Sequence, residues 1–449
     1  MGLHRKDCEY QLAGFFFSTK YLPLMLDRST PPPIADISQL QLPPYRLIRL
    51  SNGIPLYVVD MGTQDVVKLE VIFHAGRPFE HKKLVARATL SQLKEGTLHR
   101  DGAELAELLD FYGATLQTPY SLDSSNIALY SLNKHFDKVL PLLSEMLECP
   151  VFPQKELESF IQRNQVDLQI ELTKPDVVAY RHITELIFGD AHPYGYNSYP
   201  ETYSALSRED MIRHFQEHFT AGNCSIFLSG KIQPGMTEMV DSHLGRVIPA
   251  GTSQPHLPPL PDVPPQRIHL PHPDKVQSAI RIGRRLFNRN HPDYAGLYVL
   301  NTILGGYFGS RLMTNIREEK GYTYNIYSSL DPMRYDGAFF IGTETGTEFV
   351  KDTITQIYNE IEILQQELVD DEEMEMVRNY LLGGFLNMLD GPFNVADIIK
   401  TVVVEDLPED YFQTVVHTVK TITPEDLQQL AQRYLRPEDL WEVSVGSGQ

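Results

Sequence analysis

Apolar and polar positions alternate in Lys68-Leu-Glu-Val-Ile-Phe-His74, with Leu69, Val71 and Phe73 on one side. That period of two predicts a half-buried strand. The period then changes. Leu105, Leu108, Leu109 and Tyr112 follow helical spacing as far as Gly113, a residue suited to ending a helix. Asn126–Tyr130 returns to the strand pattern, and Val350, Ile354, Ile357, Tyr358 and Ile361 make a long helical stripe in the second half. Strands followed by helices, twice over, predict an α+β chain of two homologous domains. Each is a mostly antiparallel sheet with helices packed on one face.

The duplication is visible in the signals that start and stop elements. At a shift of 216 residues Ser207-Arg-Glu-Asp-Met211 lies over Thr423-Pro-Glu-Asp-Leu427. Both are capping sequences, a Ser or Thr followed by acidic residues in the first turn. Each opens a short amphipathic helix that leads to a strand ending in Gly, Cys224–Gly230 and Leu440–Gly446. Upstream, Lys155-Glu-Leu-Glu and Glu372-Glu-Met-Glu open helices at nearly the same offset. Agreement of caps, helix lengths and terminal strands marks a two-fold internal repeat.

Composition sets the boundaries. Residues 247–266 hold so many prolines that no helix or central strand fits, which predicts a semi-extended linker. The expected organisation is an extension over 1–40 without stable structure, a domain over 41–246, the linker 247–266, and a second domain over 267–449. His4, Arg5 and Lys6 precede the short apolar patch Phe15–Phe17, which Lys20 interrupts. This is too short for a signal-peptide core, and Met25, just before Pro31-Pro-Pro33, is an alternative start.

A formal charge of −20 opposes nonspecific binding to nucleic acid and to anionic membrane surfaces. No apolar run approaches the ~18 residues of a membrane span. Three cysteines, Cys8, Cys149 and Cys224, make neither a disulfide framework nor a zinc site, so a reducing, cytoplasmic setting is expected.

The most specific stretch is Gly305-Gly-Tyr-Phe-Gly-Ser-Arg-Leu-Met-Thr-Asn-Ile-Arg317-Glu-Glu-Lys-Gly-Tyr-Thr-Tyr324. With the strand and turn at Phe73–Gly76, the helix ending at Gly96-Thr97 and His192-Pro-Tyr-Gly195, it resembles the pitrilysin/insulinase family of zinc peptidases. The resemblance runs over most of the chain from about residue 45. It implies that Arg317 and Tyr324, seven residues apart, hold the substrate by donating hydrogen bonds to its carbonyls. The plainer reading is a surface Arg paired with Glu318 or Glu319, and Tyr324 in a strand core.

Where that family carries H-x-x-E-H, two zinc-binding His residues and a general base, this chain reads Arg87-Ala-Thr-Leu90-Ser91. A guanidinium repels Zn²⁺ and Leu90 is no base, so no metal is expected there; third-ligand candidates such as Glu171 have nothing to complete. A literal H-x-x-E-H occurs at His214-Phe-Gln-Glu217-His218. In the repeat, His214 and His218 overlay Leu430 and Tyr434, the packing face of a terminal helix, and no Glu stands at the spacing of the family's third ligand.

These features lead to an expected zinc-free subunit of a two-chain metallopeptidase resembling the mitochondrial processing peptidase. A homologous partner with an intact motif would carry the zinc, and the substrate would be a peptide in a closed chamber. One alternative is a structural or assembly subunit, like the core proteins of a respiratory complex. Another is a stand-alone zinc peptidase using His214 and His218.

Overall fold

The computed structural model describes residues 37, 40–261, 263–272 and 276–447. The expected N-terminal extension lies almost wholly outside them. Residues Gln39–Gln449 form one compact unit.

Two sheets organise it. The first contains β1 (Arg46–Arg49), β2 (Pro55–Asp60), β3 (Val66–Phe73), β4 (Thr115–Gln117), β5 (Ser125–Leu132) and β6 (Cys224–Gly230). The second contains β7 (Arg267–Pro271), β8 (Gln277–Leu286), β9 (Thr323–Pro332), β10 (Gly337–Gly346) and β11 (Trp441–Gly446). The orders are β1-β2-β6-β3-β5-β4 and β7-β11-β8-β10-β9. With β1 set aside, the two orders are the same. In each sheet one pair is parallel, β2 with β6 and β7 with β11, and the other pairs are antiparallel. The repeat read from the capping sequences is therefore a repeat of topology. Ser207 and Thr423 both close full capping boxes, with Asp210 and Asp426.

One face of the first sheet buries Leu69, Val71 and Phe73 against helices of its own half, which include Val85–Gln92 and Phe136–Glu148. The other face carries Val59, Ile72 and Phe227, and it is covered by Val395, Ala396 and Ile399 of the helix Pro392–Val404. The second sheet is treated the same way. Ala279, Phe340, Val443 and Val445 pack under Ala179, Ile183 and Ile187 of the helix Pro175–Phe188. Each half thus lends one helix to the other half's sheet. We propose that 247–266 is the boundary between the two halves.

This exchange changes the reading of β3. Its alternation predicts a strand wet on one side, yet Lys68 and Glu70 are only 5% and 3% exposed at their side chains. They lie under the borrowed helix. Lys68 Nζ sits 2.7 Å from Glu70 Oε2, and Lys400 Nζ sits 3.0 Å from Glu70 Oε1. Asp397 pairs with both lysines, at 3.2 Å and 2.6 Å. Buried charges are tolerable only when paired in this way. Glu70→Ala would leave two ammonium groups with the single, half-exposed Asp397. A loss of roughly 3 kcal/mol or more is expected, read from denaturant unfolding of the full chain.

Candidate functional site

The run from Gly305 to Tyr324 becomes a wide turn-and-helix unit clamped onto β9. Gly305 is required there, because a Cβ would stand 2.5 Å from the Ser328 backbone nitrogen. Arg311 makes a forked pair with Glu373, at 3.0 and 2.7 Å, which ties the unit to the first turn of the helix Asp371–Met388. Met313–Glu319 is π-helical, a rare geometry that places side chains off the usual α-helical positions and recurs at functional sites. Gly321, at φ +67°, turns the chain into β9. Thr323 and Thr345 fasten the strand's start, donating to Glu344 O (2.6 Å) and Tyr322 O (2.7 Å).

The structure brings Arg317 and Tyr324 together. Arg317 Nε donates to the backbone carbonyl of Tyr324 at 3.0 Å, and the guanidinium carbon lies 4.5 Å from the centre of the Phe308 ring. The pairing with Glu318 is long, at 3.5 Å. Tyr324 is 89% exposed. It is not a core residue, so the plainer reading of this tyrosine fails. The arrangement offers a fixed guanidinium and, beside it, a phenol projecting from the surface. Both groups donate hydrogen bonds and can reach a carbonyl oxygen.

The position of the missing metal motif is equally well defined. Arg87 leaves the helix Val85–Gln92 and donates through Nη2 to Asn164 Oδ1 (2.9 Å) and through Nη1 to the Tyr203 hydroxyl (3.3 Å). Leu90 is buried and Ser91 half-buried. The side chain on the helix Gln154–Glu171 that faces Arg87 is Asn164. Glu171, the carboxylate singled out from sequence, is half-exposed and pairs with Lys174. A zinc ion needs three or four anionic or imidazole ligands. Arginine, leucine, serine and asparagine at these positions do not fit one.

His214 and His218 sit with ring centres 4.7 Å apart, and one nitrogen of each is committed to the fold, while His214 Nδ1 is buried with no hydrogen-bond partner. His214 is fully buried, and its Nε2 lies 3.0 Å from Ala75 O, two residues beyond the end of β3. A carbonyl only accepts, so Nε2 carries the proton. His218 Nδ1 is 2.8 Å from Ser253 Oγ, which anchors the Pro-rich segment. Glu217 pairs with Arg213 at 2.9 Å, and its other oxygen lies 3.8 Å from His218 Nε2. The geometry is that of a strut, and it speaks against a zinc peptidase at His214–His218.

Two sheets whose orders agree once β1 is set aside, an exposed Arg/Tyr pair in the second half and an arginine where the resemblance expects a metal ligand are the features to set beside known proteins. Residues 205–381 match the family described as "Peptidase M16 inactive domain". The resemblance to the pitrilysin/insulinase peptidases is thereby upheld. The chain is 22% identical over 356 residues to the "Uncharacterized zinc protease YmxG" of Bacillus subtilis strain 168, covering 76% of this chain and 83% of that one. It is 24% identical over 212 residues to "Mitochondrial-processing peptidase subunit alpha-1" of Dictyostelium discoideum, covering 44% of this chain and 31% of that one. The crystal structure of a peptidase M16 inactive domain from Pseudomonas fluorescens superposes with a TM-score of 0.83 at 22% identity, over 90% of this chain and 98% of that one. Among the described residues no helix is long and apolar enough to cross a membrane.

Burial has a consequence for acid stability. It holds His214 neutral, with its pKa lowered from 6.5 to about 3. Burial, and secondarily the Arg334 charge, lowers His74 to about 4. The unfolded chain takes up these protons near 6.5 and the folded chain does not, so stability is full above about pH 6.5 and falls as pH drops toward 4. His214→Gln retains an N–H for Ala75 O and removes one of these protons. Its unfolding free energy should fall less steeply between pH 6.5 and 4 than that of the parent chain, as measured in denaturant titrations across that range.

Proposed function

We propose that this chain is the zinc-free, substrate-positioning subunit of a two-chain metallopeptidase. A homologous partner with an intact H-x-x-E-H motif supplies the metal and the general base. This chain contributes Arg317 and Tyr324 to hold the peptide. The observation that carries the proposal is the contrast between the two halves. The metal position is occupied by Arg87, Leu90 and Ser91, while the Arg317–Tyr324 unit is braced by Arg311, Glu373 and three threonine or glycine contacts, with its phenol exposed. A chain used only as scaffold has no need of a pinned guanidinium beside an unpacked tyrosine. The match to an inactive M16 domain and the partial likeness to a processing-peptidase subunit support the same reading. Sparse cysteines and the acid charge fit a cytoplasmic enzyme.

In this role the protein orients rather than cleaves. Arg317, held by the Tyr324 carbonyl and the Phe308 ring, donates to a substrate carbonyl, and the Tyr324 phenol donates to a second carbonyl or to the oxyanion that forms from it. Co-purification from the source organism identifies the partner. A peptidase assay on each chain and on the mixture then tests the reading. Activity is expected only in the mixture, with Tyr324→Phe lowering kcat/KM on the order of a hundredfold while co-elution of the two chains persists. Full activity of the partner alone would instead make this a structural or assembly subunit.

A further inference from the structure

The disagreement between the fold and the residues at the metal position leads to a second site. Around Arg87 lies an open groove of about 310 Å³. Its polar wall holds Arg87, Ser91, Thr118 and Arg163; its apolar wall holds Leu90, Phe160 and the ring of Tyr120. Asp167 also lines it, four residues from Arg163 on the same exposed helical face, so that one charge offsets the other and Arg87 is left over.

Arg87 is unusual for a half-buried cation. Among the described residues it has no ion-pair partner. Its acceptors are neutral, the Asn164 amide oxygen and the Tyr203 hydroxyl, and the Tyr120 ring lies 5.7 Å from the guanidinium carbon. These contacts use two of its five N–H groups and fix its plane, leaving N–H groups for a ligand. Tyr120 is held in turn, accepting from Arg77 Nε at 2.9 Å. A guanidinium already oriented and partly desolvated, but not neutralised, suits a planar two-oxygen anion. Ser91 and Thr118 add hydroxyl donors at the same wall. The negative net charge of the chain acts over distance and is screened beyond about 8 Å at ordinary ionic strength, so the local donors decide.

We infer that the lost metal centre has become a carboxylate-binding groove that takes the carboxylate of a peptide, with an apolar side chain against Leu90, Phe160 and Tyr120. The inference is separate from the role of Arg317 and Tyr324 and holds whether or not a zinc-bearing partner exists.

Calorimetric titration of the full chain tests it with three probes. They are N-acetylated Ala-Ala-Leu as the free acid, the same peptide as its C-terminal amide, and an acetylated, amidated Ala-Glu-Ala whose only carboxylate is a side chain. The free acid should bind saturably and the Leu amide at least about tenfold more weakly, the scale of one charge-assisted hydrogen bond. Arg87→Gln should lose the same factor. The Glu peptide separates the sources. Weak binding assigns the groove to chain termini, and binding equal to the free acid extends it to acidic side chains. Should Arg87→Gln fail to fold, Ser91→Leu fills the groove without touching the hydrogen bonds of Arg87 and must abolish binding. Equal binding of acid and amide, no saturable binding of the acid or the Glu peptide, or full binding by both variants overturns the inference.

Discussion

Each sheet in this protein has two apolar faces and only enough of its own helices to cover one. That constraint governs the rest. The second face is closed by a helix borrowed from the other half, Pro392–Val404 over the first sheet and Pro175–Phe188 over the second. At the first sheet the closure is also electrostatic, because the borrowed helix brings Asp397 and Lys400 to meet Lys68 and Glu70. The two halves are therefore not beads on a linker. The Pro-rich segment between them is itself fastened to the first half, through Ser253 on His218 and the His256 amide on Pro78 O.

Much of this was legible in sequence where the signal is local. Capping boxes at Ser207 and Thr423, the glycine-ended strands and the 217-residue offset between the helices that start at Gln154 and Asp371 all reflect short-range chemistry, and the topology repeats as they require. What lies across a sheet is not local. Lys68 and Glu70 look like the wet side of β3 because a period of two reports alternation, and it is silent about what covers each face. One signal was available. In the exchanged helix Pro392–Val404 only Asp397 and Lys400 are charged, and so apolar a helix is buried on more than one side. At the site, the substitutions at Arg87, Leu90 and Ser91 could be read directly. Asn164 could not, since several polar residues of its helix are plausible by spacing and only the helix phase selects one.

The two halves have diverged by exchanging chemistry within one frame. In the first half the position that the resemblance assigns to a metal ligand holds a guanidinium with neutral acceptors. In the second, a π-helical turn and a strand start fastened by two threonine contacts hold an arginine against the carbonyl of the tyrosine it accompanies. Arg317 does not need a carboxylate to stay in place. Arg317 has only the long 3.5 Å pairing with Glu318 and Arg87 has no ion pair among the described residues, and in both cases neutral acceptors and an aromatic ring do the positioning.

The borrowed helix also imposes an order on birth. The first sheet is complete in sequence once Gly230 has been made, but the cover for Val59, Ile72 and Phe227 is not synthesised until Val404. At ordinary elongation rates the interval is on the order of ten seconds or more. For that time a nascent chain on the ribosome carries an apolar sheet face with a buried-type Lys68–Glu70 pair exposed to water. Such a chain has reason to be held by a chaperone late in translation, and a message truncated before Pro392 would yield a product prone to aggregate, with no smaller working domain to fall back on.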